Sequence, residues 1–155
     1  ATPLWWAAYY NDAVFSAKLI AAGAEQDKAD QSGKTPLHIA AERADSALLN
    51  TLHPTADALE QTAAQGNTPL MLAAAAGNER AMRWLLAHKV DVAKRNEISL
   101  TALMIACQSD RADLAELLIE AGAKITRRNK QGKNCLEQAK DADAVEIIAL
   151  IKGLK

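Results

Sequence analysis

Several features that define whole classes of protein are scarce in this sequence. Its two cysteines, Cys107 and Cys135, are too few for a disulfide framework, and their spacing matches no metal-binding knuckle. No apolar run approaches the roughly 18 residues that cross a bilayer. The formal net charge of −1 provides no overall attraction to nucleic acid or to an anionic membrane. These absences argue against a membrane-spanning protein and a generally basic nucleic-acid binder.

Aromatic residues are also few, at 4% of the chain, although half of all residues are apolar. Alanine supplies much of the apolar fraction, and it both favours helices and lets neighbouring backbones approach closely. With 155 residues, the chain fits one compact domain or one short repeat array better than two domains. The composition therefore predicts closely packed helices.

No segment has the pattern of a signal peptide. The chain opens at Ala1 without a methionine. Trimming of an initiator methionine, removal of a signal peptide or a shortened chain would each leave that start. The expected location is cytoplasmic, with a cleaved signal peptide as the open alternative.

A repeat of 33 residues runs through the whole sequence. The tripeptide Thr-Pro-Leu, complete or altered, begins at Thr2, Thr35, Thr68, Thr101 and Asn134. An alanine follows five residues after each of these starts. Five registrations without an insertion predict a repeat architecture.

Each repeat carries the signals of two helices. Threonine followed by proline is typical of a helix start, because the hydroxyl caps the first amides and the proline ring fixes φ. An apolar face at helical spacing, a break such as Gly77-Asn78 and a second apolar segment follow. Neither helix can bury its apolar face alone, so neighbouring units must stack. Pro54 falls in the last turn of one second helix, which we expect to end early.

The period and the motif Thr-Pro-Leu-His-Ile-Ala at residues 35–40 resemble the ankyrin repeat. The resemblance extends from Thr2 to about Lys152. It implies an all-α ankyrin-repeat solenoid of about five helix–turn–helix units joined by β-turn fingers. It also implies one domain over residues 1–155, with repeats starting near residues 2, 35, 68, 101 and 134. At His38 the family's imidazole forms a hydrogen bond within the turn, so a structural role is expected.

The repeat also predicts the state of the cysteines. It places Cys107 in the first helix of the fourth unit and Cys135 at the start of the fifth. We expect both to be buried. Adjacent layers are expected to keep their Cα atoms beyond the roughly 7 Å limit for a disulfide, so free thiols are predicted.

No constellation in the sequence suggests catalysis. The triplet Gly-Lys-Thr at residues 33–35 matches the end of a phosphate-binding loop, but Lys28 stands where that fingerprint requires glycine. His53 and His88 have no carboxylate or cysteine at ligand spacing. We therefore expect no enzyme, no catalytic residue, no metal and no cofactor.

In ankyrin arrays, partners usually lie against the finger tips and the exposed side of the first helices, which together form a concave face. The residues at these positions vary from unit to unit here, while leucine and alanine stay fixed. Such variation is typical of a recognition surface and also of an unconstrained solvent face. The residues predicted to bind a partner are Trp6, Tyr9, Tyr10, Gln31, Ser32, Lys34, Glu42, Arg43, Gln65, Asn67, Glu97, Ile98, Leu100, Gln108 and Ser109.

Two local features favour a binding surface. Five of the six aromatic residues lie between Trp5 and Phe15, where they either seal the uncovered end of the first unit or anchor a partner. Ile98 and Leu100 place branched apolar side chains on a finger tip, where Ser99 replaces the usual glycine.

The prediction is therefore a module that binds another protein, in an inhibitor, immunity-type or scaffold role, without a membrane or a small-molecule cofactor. The alternative is binding of nucleic acid or an acidic partner through the basic last finger, although the same charges fit a solvated hairpin. That finger carries Lys124, Arg127, Arg128, Lys130 and Lys133.

Overall fold

A computed structural model describes residues 1–43 and 46–154, and every regular element in these ranges is helical. Each repeat unit contributes an inner and an outer helix. In chain order the helices are α1 (Pro3–Tyr9), α2 (Ala13–Ala21), α3 (Pro36–Arg43), α4 (Ser46–Thr51), α5 (Ala56–Glu60), α6 (Pro69–Ala76), α7 (Glu79–Ala87), α8 (Ala102–Gln108), α9 (Ala112–Glu120), α10 (Cys135–Asp141) and α11 (Val145–Gly153). A short 3-10 helix covers Ala64–Gly66.

The inner helices start where the repeat predicts. The hydroxyl of Thr2 accepts a hydrogen bond from the amide of Trp5 over 3.2 Å, and Thr68 and Thr101 cap α6 and α8 in the same way. At α10, Asn134 and Glu137 form a capping box, in which each side chain accepts from the other residue's amide. The all-helical fold and its 33-residue register are therefore confirmed.

The outer helices confirm the prediction for Pro54. Four of them end at one position of the repeat, occupied by Ala21, Ala87, Glu120 and Gly153. In the second unit that position is Pro54, and α4 ends at Thr51, three residues earlier. The short helix α5 then follows, capped by Thr55. The proline ring shortens α4 because it cannot be accommodated against the preceding turn.

The helices stack in two layers. The inner layer runs α1, α3, α6, α8, α10 and the outer layer runs α2, α4, α7, α9, α11. Fully buried alanines recur at one position of the inner helices, at Ala40, Ala73, Ala106 and Ala139. Small side chains at this position let adjacent helices pack closely. Among the described helices, none is long and apolar enough to span a bilayer.

The prediction of free thiols is wrong. Cys107 and Cys135 are buried as expected, but they form a disulfide that joins α8 to α10, with their Cα atoms 5.6 Å apart. The position of Cys107 in the repeat holds Ala8, Ala41 and Ala74 in the first three units. Because the repeat keeps this position small, α8 and α10 approach closely enough here for a disulfide.

Candidate functional site

Four fingers connect the units, and we number them first to fourth: residues 30–34, 63–67, 96–100 and 129–133. In the first finger, the Asp30 side chain accepts hydrogen bonds from the amides of Ser32 (2.8 Å) and Lys34 (3.0 Å). Asn96 and Asn129 accept the corresponding pairs of bonds in the third and fourth fingers. These bonds hold the three turns in one conformation.

Each finger turn needs a left-handed backbone at its fourth position. Glycine occupies it three times, with φ between 74° and 77° at Gly33, Gly66 and Gly132. Ser99 takes the same place in the third finger, with φ of 62°. This conformation costs a residue with a Cβ atom about 1 kcal/mol. The third finger therefore carries this strain at a position where the other three fingers have glycine. The second finger has a positive φ of its own at Gln65, one position earlier, with φ of 65°.

The finger tips are linked by backbone hydrogen bonds from one finger to the next. The amide of Ala64 donates to the carbonyl of Ser32 over 2.8 Å, and the amide of Glu97 donates to Gln65 over 2.9 Å. The last bond of the series, from Lys130 to Ile98, is longer at 3.5 Å. The row of tips is thus preformed, and it is loosest between the third and fourth fingers.

On the concave face, the last residue of each finger lies eight residues before a position on the inner helix that follows. In the second unit Lys34 forms an ion pair with Glu42 over 2.7 Å, and in the fifth Lys133 pairs with Asp141 over 2.6 Å. The equivalent pairs in the two central units are Asn67 with Ala75 and Leu100 with Gln108. Charged ends therefore flank an uncharged centre.

The aromatic residues of α1 form one continuous cluster. The ring of Tyr9 stacks on Trp5, with centroids 5.4 Å apart, and also contacts Trp6 and Tyr10 edge-on. On its other side, the guanidinium carbon of Arg43 lies 4.2 Å from the Tyr9 ring centroid. Tyr9 is partly buried by these contacts, whereas the side chain of Tyr10 is 73% exposed.

Two members of the aromatic stretch lie on the end of the array. Phe15 is 47% exposed, but the residues at its position in the other four units are completely buried. Trp6 is also 47% exposed, whereas its equivalents Ile39 and Gln138 are buried against the preceding unit. Gln138 accepts a hydrogen bond from Gln108 of that unit, which shows the direction this position faces. Trp6 and Phe15 therefore face outward along the stack, and Tyr10 faces the concave side.

The predicted site residues other than Leu100 are exposed or partly exposed. Ile98 is 54% exposed at the tip of the third finger, as expected. Leu100 is only 8% exposed, so the expectation of an apolar pair in solvent is wrong for this residue. Burial removes this apolar side chain from water, whereas the lysines at the same position, Lys34 and Lys133, keep their ammonium groups at the surface on carboxylates.

The basic last finger, here taken with the segment that leads into it as residues 124–133, is partly neutralised by carboxylates. Arg128 forms an ion pair with Glu137 over 3.0 Å, and Lys133 is paired with Asp141. Lys124, Arg127 and Lys130 have no carboxylate within 4 Å in the described part of the chain. The five positive charges therefore do not form one open surface.

His38 has the structural role that was expected. It is completely buried, and its Nδ1 accepts a hydrogen bond from the amide of Thr35 over 3.2 Å. Burial lowers the pKa of His38 to about 4, although the backbone of Gln61 and Asn67 acts in the opposite direction. The imidazole is therefore neutral at pH 7 and cannot contact a ligand.

A sequence model described as ankyrin repeats (three copies) matches residues 44–129, which is more than half of the chain. The chain therefore belongs to the ankyrin-repeat family. Proteins of this family are generally interaction modules and typically not enzymes.

Curated relatives contain similar segments. The chain is 30% identical to transient receptor potential cation channel subfamily A member 1 of Homo sapiens over 129 residues, covering 79% of this chain and 11% of the relative. It is 30% identical to neurogenic locus notch homolog protein 1 of Mus musculus over 131 residues, covering 84% and 5%. Protein fem-1 homolog A-like of Mus musculus is 33% identical over 64 residues, covering 41% and 10%. The chain spans only between 5% and 11% of the length of these relatives.

Proposed function

We propose that this chain is a binding module that holds another protein against its concave face. The contrast between frame and surface carries the proposal. The inner-helix alanines at one repeat position are buried in every unit, yet no two units have the same pair of residues at the two concave positions further along the helix. Those pairs are Tyr9 and Tyr10, Glu42 and Arg43, Ala75 and Ala76, Gln108 and Ser109, and Asp141 and Ala142.

The geometry supports binding by a preformed surface. Side-chain and backbone hydrogen bonds hold the finger turns, and ion pairs hold Lys34 and Lys133 against the inner helices. A surface held in this way loses little conformational freedom on docking, so more of the contact energy is left for affinity. Tyr10 would supply an exposed anchor, and the varied finger tips would supply specificity.

Such a surface acts without chemistry of its own. It would inhibit a partner by covering the partner's working surface, or it would hold the partner in place as a scaffold. We place a protein partner before nucleic acid because two of the five basic residues of the last finger are paired with carboxylates. The exposed aromatic rings also lie at the other end of the array, too far away to combine base stacking with phosphate contacts.

We propose further that residues 1–155 form one domain. A single cluster of buried apolar side chains runs from Trp5 in the first unit to Ile151 in the fifth. Each unit shares its buried face with the next, so the units depend on one another for stability.

The disulfide bears on the cellular compartment in which the chain is expected. Disulfides persist in oxidising compartments and are rare in the cytosol. The bond between Cys107 and Cys135 therefore favours an oxidising location over the cytoplasmic one expected from the sequence. We propose that the chain meets its partner outside the reducing cytosol.

The function is tested by capturing partners with three matched proteins. One is the wild type, and one carries Tyr10→Ala, Arg43→Glu and Ser109→Glu on the concave face. The control carries Val14→Ala, Lys18→Glu and Glu116→Lys on the exposed side of the outer helices. We expect a protein that is captured by the wild type and the control and lost with the concave variant. Equal capture by all three would refute a concave binding face.

A further inference from the structure

A groove opens on the concave face between the third and fourth fingers. Its volume is about 290 Å³, and it is lined by Ile98, Leu100, Gln108, Asn129, Lys130 and Gln131. It lies where the hydrogen bond between adjacent finger tips is longest, at 3.5 Å against 2.8 and 2.9 Å elsewhere. The two finger tips are therefore held together less tightly here than at the other two junctions.

The apolar wall of the groove has no counterpart in the other fingers. Ile98 is the only apolar residue at its position, since Ser32, Gln65 and Gln131 occupy it in the other three fingers. At the position of Leu100, two of the other three fingers have a lysine that pairs with the inner helix. Here Leu100 and the side chain of Gln108 form an uncharged floor instead. This combination suits a branched apolar side chain.

The other side of the groove carries a positive charge. Lys130 has no carboxylate within ion-pair distance among the described residues, whereas Lys133 on the same finger is neutralised by Asp141. The nearby acid Glu97 does not line the groove, and its Cγ lies beside Gly66 of the second finger. A ligand in the groove therefore meets an uncompensated ammonium group.

Polar atoms in the lining can also bind a peptide backbone. Gln108 donates through Nε2 to Gln138, so its side-chain carbonyl oxygen is left as an acceptor. The Asn129 side chain uses its oxygen for the finger turn, so its amide group is left as a donor. Amide side chains of this kind pair with the N–H and C=O groups of an extended segment.

We propose that this groove binds an extended, acidic segment of the partner protein, with a branched apolar side chain between Ile98 and Leu100 and a neighbouring carboxylate on Lys130. This rests on the proposed protein-binding function and specifies the chemistry of one subsite. Apolar burial supplies the anchor, and the charge of Lys130 selects the flanking residue.

A display library of random linear peptides, selected on the immobilised chain, tests the proposal. Enriched peptides are then titrated by fluorescence anisotropy against the wild type, Ile98→Asp and Lys130→Glu. Val14→Asp and Lys18→Glu are the matched controls, because they replace a branched apolar residue by aspartate and a lysine by glutamate at exposed positions of α2. All four substitutions are at exposed side chains, and unchanged circular dichroism would show that the variants fold.

The expected peptides carry leucine, isoleucine or valine beside aspartate or glutamate. Each groove variant should weaken their binding by about tenfold or more, and the controls should not. Failure to enrich such peptides, or equal binding to the groove variants, would overturn the groove proposal. The peptides are also titrated against Tyr10→Ala, and loss of binding with that variant alone would overturn the groove proposal while leaving the concave face as the binding surface. Titration with oligothymidine is included, and tight binding that Lys130→Glu abolishes would assign the groove to nucleic acid instead.

Discussion

Removal of the disulfide provides a demanding test of how the fourth and fifth units are held together. The double variant Cys107→Ala and Cys135→Ala is suited to this, because alanine occurs at both positions in other units. Ala74 stands at the position of Cys107, and Ala102 stands at that of Cys135. The substitutions therefore remove the covalent bond while keeping side chains that the repeat already tolerates.

The expected magnitude follows from the length of chain that the bond closes. The cysteines are separated by 28 residues. Restricting the unfolded chain by a loop of that length is worth about 3.6 kcal/mol at 25 °C. The better helix propensity of alanine offsets roughly 0.5 kcal/mol of this. We expect the free energy of unfolding to fall by about 3 kcal/mol, and the thermal midpoint by roughly 6–12 °C.

Urea unfolding followed by circular dichroism, without reductant, measures the difference between wild type and variant. Amide exchange should also become faster in α10 and α11, because the end unit then depends on noncovalent packing with its single neighbour. Thiol counting on denatured, unreduced wild-type protein should find no reactive thiol. Two reactive thiols, or identical unfolding curves for the two proteins, would refute the cross-link and the compartment inferred from it.

Three further predictions concern single residues. His38→Met introduces the residue that Met71 and Met104 supply at the same repeat position. The lowered pKa of His38 means that its neutral form stabilises the fold above about pH 6.5, and this contribution, at most about 3 kcal/mol, is lost as the pH falls through 4. Urea unfolding at pH 7 and pH 4 measures how much the free energy of unfolding falls in acid. The fall should be smaller for the variant than for the wild type, and equal falls would contradict this. Ser99→Gly should raise the free energy of unfolding by roughly 0.5–1 kcal/mol by relieving the positive φ, and an unchanged or lower value would count against strain. Amide exchange should be faster at residues 51–57 than at residues 117–123, because Pro54 ends α4 early; equal protection would oppose this.

Local signals predicted most of the fold because they repeat five times. Threonine or asparagine at each start forms a cap that needs no distant contact, so the inner helices begin where the register places them. The shortened α4 was equally predictable, since a proline acts on the turn that precedes it.

Features that depend on contacts between units were predicted less well. The disulfide was missed because the distance between Cys107 and Cys135 depends on how closely α8 and α10 pack. Alanine at the position of Cys107 in three earlier units was the signal that could have indicated a close approach. The burial of Leu100 was missed because the other three fingers have polar residues at its position, which suggested an exposed site.

The groove residues Asn129, Lys130 and Gln131 were not among the residues predicted to bind a partner on the concave face. The groove that they line depends on how the third and fourth fingers pack together, which no single residue encodes. The place of Phe15, by contrast, could have been predicted from the repeat. Its repeat position holds the apolar residues Leu48, Ala81 and Leu114, which are buried in the other units. Phe15 lies in the first unit, so the same position falls at the uncovered end of the stack.

The affinity of the captured partner for Tyr10→Ala tests the central claim most directly. Tyr10 is a better probe than Tyr9, because Tyr9 is packed between Trp5 and Arg43 and its removal would also affect stability. If the concave face binds the partner, Tyr10→Ala should weaken binding by about thirtyfold, while the thermal midpoint and the affinity of the Val14→Ala control stay at wild-type values. Unchanged affinity of Tyr10→Ala, measured by isothermal titration calorimetry on folded protein, would contradict the account.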